Sequence, residues 1–278
     1  MNVFQLVKQV LDEQYDSIGG TEEERDIAIR TRIKVLMERY SKLAEENSVT
    51  YRKPLTRFAY IYKYVTSHSN LTYKMLLGAG ALRKLFLQDQ VIVSCIGGGP
   101  GSELLGILKY MADIEDMPPL RCYLIDREIG WADAWSDVDE KALSDCKVSS
   151  YFIPMDVTDP ENWSAHTKYL KADLFTMVYF ASEIFCVRDK AMPYFENLFR
   201  SMKPGAFILY IDNNAPTFTD WFDSLASKHG LKVVAADTLV IEMTYDEQKK
   251  DLGDYLEKFG PVKLKADVAY RVLKKGQS

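Results

Sequence analysis

Four of the chain's 15 glycines lie within five residues, in a corner between two elements where an apolar run meets an apolar-periodic segment. Residues 91–96 (VIVSCI) are typical of a buried strand, and the segment that starts at Ser102 has helical spacing. Glycine is needed between them where a Cβ would keep a ligand away from the N–H groups of the helix N-terminus. This order of elements predicts a site for a phosphate or a nucleoside. The four glycines are Gly97, Gly98, Gly99 and Gly101.

The spacing of these glycines separates three kinds of site. A dinucleotide corner has the pattern G-x-G-x-x-G/A, and here its third small residue would be Ser102. The pattern Gly97-x-Gly99-x-Gly101 fits without exception, and Pro100 restricts the backbone between the last two glycines. A P-loop is excluded because no G-K-[S/T] follows. The spacing favours a nucleoside-binding turn. A dinucleotide-binding turn, and with it a nicotinamide-dependent oxidoreductase, is the alternative.

Acidic residues follow the strands that come after this corner. Asp126 ends LRCYLID, Asp156 ends SSYFIPMD, Glu183 follows DLFTMVYF and Asp212 ends AFILYID. The carboxyl ends of parallel strands meet at one edge of a sheet, which is where open α/β sheets bind ligands. Each acid also has a structural interpretation, as a cap of the following turn or as the partner of a cation elsewhere in the chain.

Strands and helices alternate from residue 91 onwards, which predicts an α/β fold. Five consecutive βα units, one of them with a helix over residues 131–144, indicate a parallel sheet with helices on both faces. Two further strand candidates follow, over residues 232–243 and 266–275. We therefore expect residues 91–278 to form a domain with a seven-stranded, mostly parallel, doubly wound sheet.

The first 90 residues lack strand alternation and are predicted to form a helical cap or lid. A helix is predicted to start at a capping box of Thr21 and Glu24 and to run to about Asn47. Two more are predicted over residues 55–68 and 71–86.

The corner and the acids together resemble the class I (Rossmann-like) S-adenosylmethionine-dependent methyltransferases, over roughly residues 91–275. The G-x-G-x-G turn is similar to motif I of that family, and Asp126, 25 residues past Gly101, matches the acid that holds the cofactor's ribose hydroxyls. The resemblance implies S-adenosyl-L-methionine as the cofactor and transfer of its methyl group. The cofactor-binding residues that it implies are Gly97, Gly98, Gly99, Gly101, Glu103, Asp126, Arg127, Asp156, Val157 and Tyr179.

One position departs from the family pattern. The family usually has an acid two residues before the first glycine of motif I, and this chain has Cys95 there. The role of that acid, which is to hold the methionine ammonium, is then absent or taken by Glu103 or Glu183.

Residues 48–88 contain seven Lys or Arg and no Asp or Glu. On a helix, Arg57, Tyr60 and Tyr64 would share one face, which suggests a lid over the cofactor site. The alternatives are a half-buried helix with boundary tyrosines and, because basic residues alternate with tyrosines over residues 51–84, an RNA-binding surface. We expect Glu183 and Tyr60 as catalytic residues. The residues expected to bind substrate are Arg57, Tyr64, Asp212 and Asn213.

Composition limits the function further. The net charge of −5 argues against general nucleic-acid binding, and no apolar run is long enough to span a membrane. The four cysteines form no C-x-x-C pair, and no histidine is spaced for zinc, so we expect no metal. A cytoplasmic methyltransferase of a small molecule is the favoured interpretation. An RNA or protein methyltransferase and a non-catalytic binder of the same fold are the alternatives.

Overall fold

The computed structural model describes residues 2–45, 49–114, 118–134, 147–242 and 249–276. Within these ranges, seven strands form one sheet in the order β3-β2-β1-β4-β5-β7-β6. Strands β1 to β5 run parallel, and β7 is antiparallel to both of its neighbours. The strands are β1 (Val91–Ile96), β2 (Leu120–Asp126), β3 (Val148–Pro154), β4 (Leu174–Val178), β5 (Phe207–Asn213), β6 (Leu231–Glu242) and β7 (Lys265–Lys275).

The predicted fold class is confirmed by this sheet. The strand order reverses between β1 and β4, which lie side by side although two strands separate them in sequence. Such a reversal opens a crevice at the carboxyl edge of the sheet, where open α/β folds bind ligands. The glycine turn follows β1 and therefore lies at this crevice.

Helices flank the sheet at both faces of its parallel part. Residues 130–134 begin the helix predicted over residues 131–144 (α7), whose remainder lies outside the described residues. The other helices after β1 are α6 (Ser102–Asp113), α8 (Pro160–Ser164), α9 (Phe180–Ile184), α10 (Arg188–Ser201), α11 (Pro216–Lys228) and α12 (Tyr255–Phe259).

The N-terminal part of the chain is helical up to the turn that precedes β1. Thr21 and Glu24 form the predicted capping box, with hydrogen bonds in both directions. The helix that they start ends at Tyr40, earlier than predicted, and residues 41–45 form turns. The helices are α1 (Val3–Ser17), α2 (Glu22–Tyr40), α3 (Pro54–Tyr60), α4 (Thr66–Gly78) and α5 (Gly80–Arg83).

The prediction of separate helices over residues 55–68 and 71–86 was wrong, because the backbone stays helical from α3 to Gly78. Residues Ile61–Val65 form a π-helical segment between α3 and α4. Ser69 and Thr72 donate their hydroxyls to the carbonyls four residues earlier, at 2.8 Å and 3.0 Å. These polar side chains are therefore satisfied inside the helix and do not end it. Segments of π-helix occur often at functional sites.

Helix α4 packs directly on α6 at Gly106. A Cβ at this position would lie 2.4 Å from the Ser69 carbonyl oxygen and 2.7 Å from the Thr72 Cβ. One cluster of buried apolar side chains continues from α1 through this contact to β7. The N-terminal helices thus share a core with the sheet, and their position over the carboxyl edge is set by close packing.

Gly106→Ala tests this contact. Alanine favours a helix interior by about 1 kcal/mol, but a buried methyl without space costs about 1–3 kcal/mol through backbone shifts. The backbone oxygen of Ser69 cannot rotate away, so we expect a cost at the upper end of this range, about 2–3 kcal/mol. The net loss of about 1–2 kcal/mol should lower the melting temperature by about 2–8 °C. Gly78→Ala is the matched control, because no atom lies within 4 Å of its Cβ position. A Gly106→Ala protein that melts at the wild-type temperature would contradict the close approach of α4 and α6.

Candidate active site

The turn after β1 contains three glycines with left-handed backbone. Gly97, Gly99 and Gly101 have φ angles of +70°, +46° and +83°, while Gly98 has no positive φ. These are the three positions of the G-x-G-x-G pattern, and side chains rarely tolerate such angles. The last of the three is the N-cap of α6, so the turn leads the chain directly into that helix.

Asp126 connects the end of β2 to this glycine turn. Its Oδ2 accepts a hydrogen bond from the Gly99 N–H at 3.2 Å, and its Oδ1 accepts one from the Glu128 N–H at 2.9 Å. Burial raises the pKa of this carboxyl to about 6, and both hydrogen bonds oppose that rise. The ends of β1 and β2 are thus joined by one carboxylate at the crevice.

A narrow cleft runs along the ends of β1, β2 and β3. Its walls come from the sheet edge and from residues before α3, among them Tyr51, and its volume is about 60 Å³. Asp156 lies in this wall and accepts a hydrogen bond from the Thr158 N–H at 2.9 Å. The cleft brings together six of the residues that sequence predicted for cofactor binding or catalysis: Gly97, Asp126, Arg127, Asp156, Val157 and Glu183.

Aromatic rings cover the glycine turn from the side of the N-terminal helices. Tyr51 and Tyr60 pack on Trp131, with ring centroids 4.9 Å and 5.4 Å away. The Trp131 Nε1 lies 3.8 Å from the Cβ position of Gly99. The small space that remains over the turn is lined by these three rings, by Gly97 and Gly99, and by Glu183.

A larger chamber of about 530 Å³ lies between the N-terminal helices and the ends of β4, β5 and β7. The predicted residues Tyr64, Tyr179, Glu183 and Asn213 line it. Tyr179 has φ +57°, the one non-glycine residue in the described ranges with a positive φ. Strained backbone of this kind persists where the surroundings enforce it, and it clusters at functional sites.

Glu183 lines both the cleft and the chamber. Its Oε1 accepts a hydrogen bond from the Tyr40 hydroxyl at 3.1 Å, and the Tyr40 hydroxyl also contacts the hydroxyl of Tyr51. Burial, together with the nearby Asp126 carboxyl, raises the pKa of Glu183 to about 8. Glu183 is therefore a carboxyl at the junction of the two spaces, with a pKa suited to proton exchange near neutral pH.

Glu103 is a second buried carboxyl, in the first turn of α6. Its side chain is 3% exposed, and its Oε1 has no hydrogen-bond partner among the described residues. Burial raises its pKa to about 8, and Asp126 and Glu183 contribute to the rise. A buried acceptor without a partner is expensive, so this oxygen fits a bound donor. Cys95, at the position of the usual family acid, cannot serve as this acceptor, because its thiol lies in the core, 3.8 Å from the Cys122 thiol.

Two predicted substrate residues lie outside the walls of both spaces. The Arg57 guanidinium donates to the carbonyls of Tyr51 and Arg52, at 2.9 Å and 3.0 Å, and so holds the chain before α3. Asp212 is fully buried and accepts hydrogen bonds from the N–H groups of Ser182 and Asn213. Burial raises its pKa to about 6. Both residues position neighbours that line the cleft or the chamber.

Two residues of the chamber wall were missed by sequence reasoning. His68 packs against the Tyr179 ring at a centroid distance of 4.6 Å and an interplanar angle of 31°, and its Nδ1 is 3.2 Å from the Tyr60 hydroxyl. His68 is the last residue of the helix predicted over residues 55–68, and its i+4 spacing from Tyr64 is the signal that could have indicated it. Lys263 comes from the loop before β7, and its position carries no sequence signal.

The described residues contain no cluster of three or more His, Cys, Asp or Glu side chains that could hold a metal ion. None of the helices within the described ranges combines the length and the apolar character needed to cross a membrane.

The strand order and the antiparallel β7 define the class of fold: the chain has the fold of the class I S-adenosylmethionine-dependent methyltransferases. No protein-family model and no curated protein sequence matches the chain.

Solved structures with a similar fold include three proteins of low sequence identity. A SAM-dependent methyltransferase from Methanosarcina mazei is 12% identical, covers 69% of this chain and 96% of its own, and has a TM-score of 0.47. A candidate RNA methyltransferase from Pyrococcus horikoshii is 17% identical over 89% of this chain and 100% of its own, with a TM-score of 0.45. A precorrin-6y C5,15-methyltransferase from Geobacter metallireducens is 16% identical over 70% of this chain and 86% of its own, with a TM-score of 0.42.

Glu103→Gln tests, on the ligand-free protein, whether the Glu103 carboxyl is buried without a partner. Because burial raises the pKa of Glu103 from 4.5 to about 8, the folded state holds this proton more tightly than the unfolded state. The contribution of this proton to the free energy of unfolding is fully present below about pH 4.5 and is lost as pH rises through about 8. Glutamine cannot ionise, so the variant should melt about 2–4 °C or more above wild type at pH 9, with no such gain at pH 5.

Glu161→Gln is the matched control, because Glu161 is an exposed acid in the first turn of α8. It should leave the pH profile of the melting temperature unchanged. A Glu103→Gln profile parallel to that of wild type from pH 5 to pH 9 would show that Glu103 is not a destabilising buried acid.

Proposed function

We propose that the chain is an S-adenosylmethionine-dependent methyltransferase that acts on a small molecule bound in the chamber. One observation carries this proposal: Glu183 joins a cleft with the glycine turn and Asp126 to a chamber large enough for an acceptor. A methyltransferase needs two adjoining sites of this kind, because cofactor and acceptor must meet in line at one point.

The residues in and beside the cleft have the polar groups that the proposed cofactor needs, and the cleft of about 60 Å³ would have to widen to admit it. Asp126 would bind the ribose hydroxyls, and Asp156 and Val157 would lie beside the adenine. The unpartnered Oε1 of Glu103 would accept from the methionine ammonium and so take the role of the acid that Cys95 replaces. When bound, S-adenosylmethionine supplies an electrophilic methyl group on a sulfonium.

The chain itself would align the acceptor, exclude water and remove a proton. Tyr51, Tyr60 and Trp131 form an aromatic cover over the glycine turn, which suits them to exclude water. The ionised form of Glu183 would take the acceptor's proton, since this carboxyl lies at the junction of the two spaces. Its raised pKa of about 8 makes that form a stronger base than an ordinary glutamate, while the protonated form is the larger fraction at neutral pH. Tyr40 holds that carboxyl in place through its hydroxyl. Residues 1–90 would thus serve as the lid.

A small acceptor is favoured over RNA by the burial of the tyrosines in residues 51–84. Tyr51, Tyr62 and Tyr64 are each at most 7% exposed, so their rings are not available to stack bases. The chamber volume of about 530 Å³ is in the range of small-molecule pockets, about 300–1,000 Å³.

Cofactor identity is tested by calorimetry on the purified protein. S-adenosylhomocysteine should bind with one site per chain, because the cleft holds one G-x-G-x-G turn with one Asp126. NAD and NADP should give no comparable heat, because Ser102 replaces the third small residue of a dinucleotide corner. Tighter binding of a dinucleotide than of S-adenosylhomocysteine would refute the proposal.

Asp126→Asn tests the ribose contact. Hydrogen bonds to a charged group contribute about 1.5–3 kcal/mol each. Loss of the carboxylate should therefore weaken the binding of S-adenosylhomocysteine by about 2–4 kcal/mol, or roughly 30- to 1,000-fold. The amide retains an oxygen for the Gly99 N–H, which limits damage to the turn. Asp159→Asn is the matched control, because Asp159 accepts backbone N–H bonds as the N-cap of α8 and lines neither space. If the two variants bind S-adenosylhomocysteine with equal affinity, Asp126 does not contact the cofactor.

A further inference from the structure

The chamber contains a lysine that no carboxylate pairs with among the described residues. Lys263 is partly buried, and its Nζ donates to the Tyr179 hydroxyl at 3.1 Å. The same Nζ lies 4.4 Å from the centroid of the Tyr179 ring and 5.9 Å from that of Tyr64. Burial lowers the pKa of Lys263 to about 8, and Asp212 opposes this only in part. An ammonium held between two rings without a counter-ion is a ready partner for an anion.

The other charges of the chamber have the same sign. Lys63 and Lys265 also line it, with Lys63 donating to the Pro261 carbonyl at 2.6 Å and Lys265 lying 3.7 Å from Glu242. Glu183 is the one acid in the described wall, and its pKa of about 8 leaves it mostly protonated at neutral pH. His68 is neutral, because burial and Lys263 lower its pKa well below its usual range. The chamber therefore favours an anionic ligand and disfavours a cationic one.

The aromatic rings of the wall favour a ligand that has a ring of its own. The rings of His68 and Tyr179 lie at an angle of 31°, and the rings of Tyr40 and Tyr64 meet edge to face at 5.0 Å. Met37, Leu43 and Leu264 contribute apolar surface. A volume of about 530 Å³ bounded by aromatic and aliphatic groups accommodates a ligand of one or two rings.

We propose that the acceptor is a small aromatic acid whose carboxylate pairs with the Lys263 ammonium and whose hydroxyl or amino group reaches Glu183. This inference rests on the proposed function. The acceptor heteroatom would form a bond to the methyl carbon as the carbon–sulfur bond breaks. Its proton would pass to the Glu183 carboxylate, and the cofactor would leave as S-adenosylhomocysteine. Lys263 binds the substrate and takes no part in the bond changes.

The test compares an acid with its neutral amide on protein saturated with S-adenosylhomocysteine. The probes are 4-hydroxybenzoate against 4-hydroxybenzamide, and 6-hydroxy-2-naphthoate against its amide, with 4-hydroxybenzylamine as a cation. At least one acid should bind about tenfold or more tightly than its amide, since a charged hydrogen bond is lost with the carboxylate. The cation should bind more weakly than either. Failure of both acids to bind, or equal affinity of acid and amide, would overturn the inference.

Variants locate the preference at Lys263. Lys263→Met should reduce the acid preference to less than about threefold and leave the affinity of the amide unchanged. Lys263→Arg keeps the charge and should retain the preference. Lys232→Met is the matched control, because Lys232 is exposed on β6 and lies outside the chamber. A preference that survives in Lys263→Met would contradict the proposal, and the wild-type comparison decides it even if that variant fails to fold.

Binding of S-adenosylhomocysteine to each variant separates the two proposals. Lys263 does not line the cleft, so all three variants should bind it within about twofold of wild type. A wild-type protein that does not bind it would defeat the proposed function itself. A protein that binds it but does not distinguish acid from amide would defeat only the assignment of the acceptor.

Discussion

The constraint on which the site depends is the left-handed backbone of three alternate glycines between β1 and α6. This turn brings the chain from the sheet into a buried helix within five residues, 97 to 101, of which only Pro100 has a side chain. Asp126 then closes the turn by accepting from the Gly99 N–H, so that the ends of β1 and β2 form one surface. A Cβ at Gly97 would lie 2.3 Å from the Phe180 ring, which ties the turn to the end of β4 as well.

The electrostatics of the site follow from this compactness. Glu103, Asp126 and Glu183 are brought together with little water, and the Asp126 carboxyl contributes to the raised pKa of both glutamates. Such an arrangement is unfavourable without a counter-charge and becomes favourable when a cation enters. The chamber on the other side of Glu183 has the opposite character, since lysines and a neutral histidine line it. Glu183 therefore stands between a region suited to a cation and a region suited to an anion.

The N-terminal helices take part in the site because they pack into the same core as the sheet. Gly106 allows α4 to approach α6 closely, and this places Tyr60, Tyr64 and His68 over the carboxyl edge. The π-helical segment at Ile61–Val65 separates Tyr60 from His68, and the hydroxyl and imidazole of these two residues still meet. Their positions thus depend on one continuous helix.

The sequence by itself determined the parallel sheet, the capping box of α2 and the three glycines of the turn, because each depends on local spacing or on backbone conformations that few residues adopt. It also indicated the acids at the strand ends, since parallel strands bring their carboxyl ends to one edge. Only the tertiary structure decided what these acids face. Arg57 and Asp212 serve backbone groups next to the site, while Lys263, far along the chain, faces the Tyr179 ring. The physical reason is that a chamber wall is built by packing between distant elements, and no local pattern of residues encodes which side chains meet there.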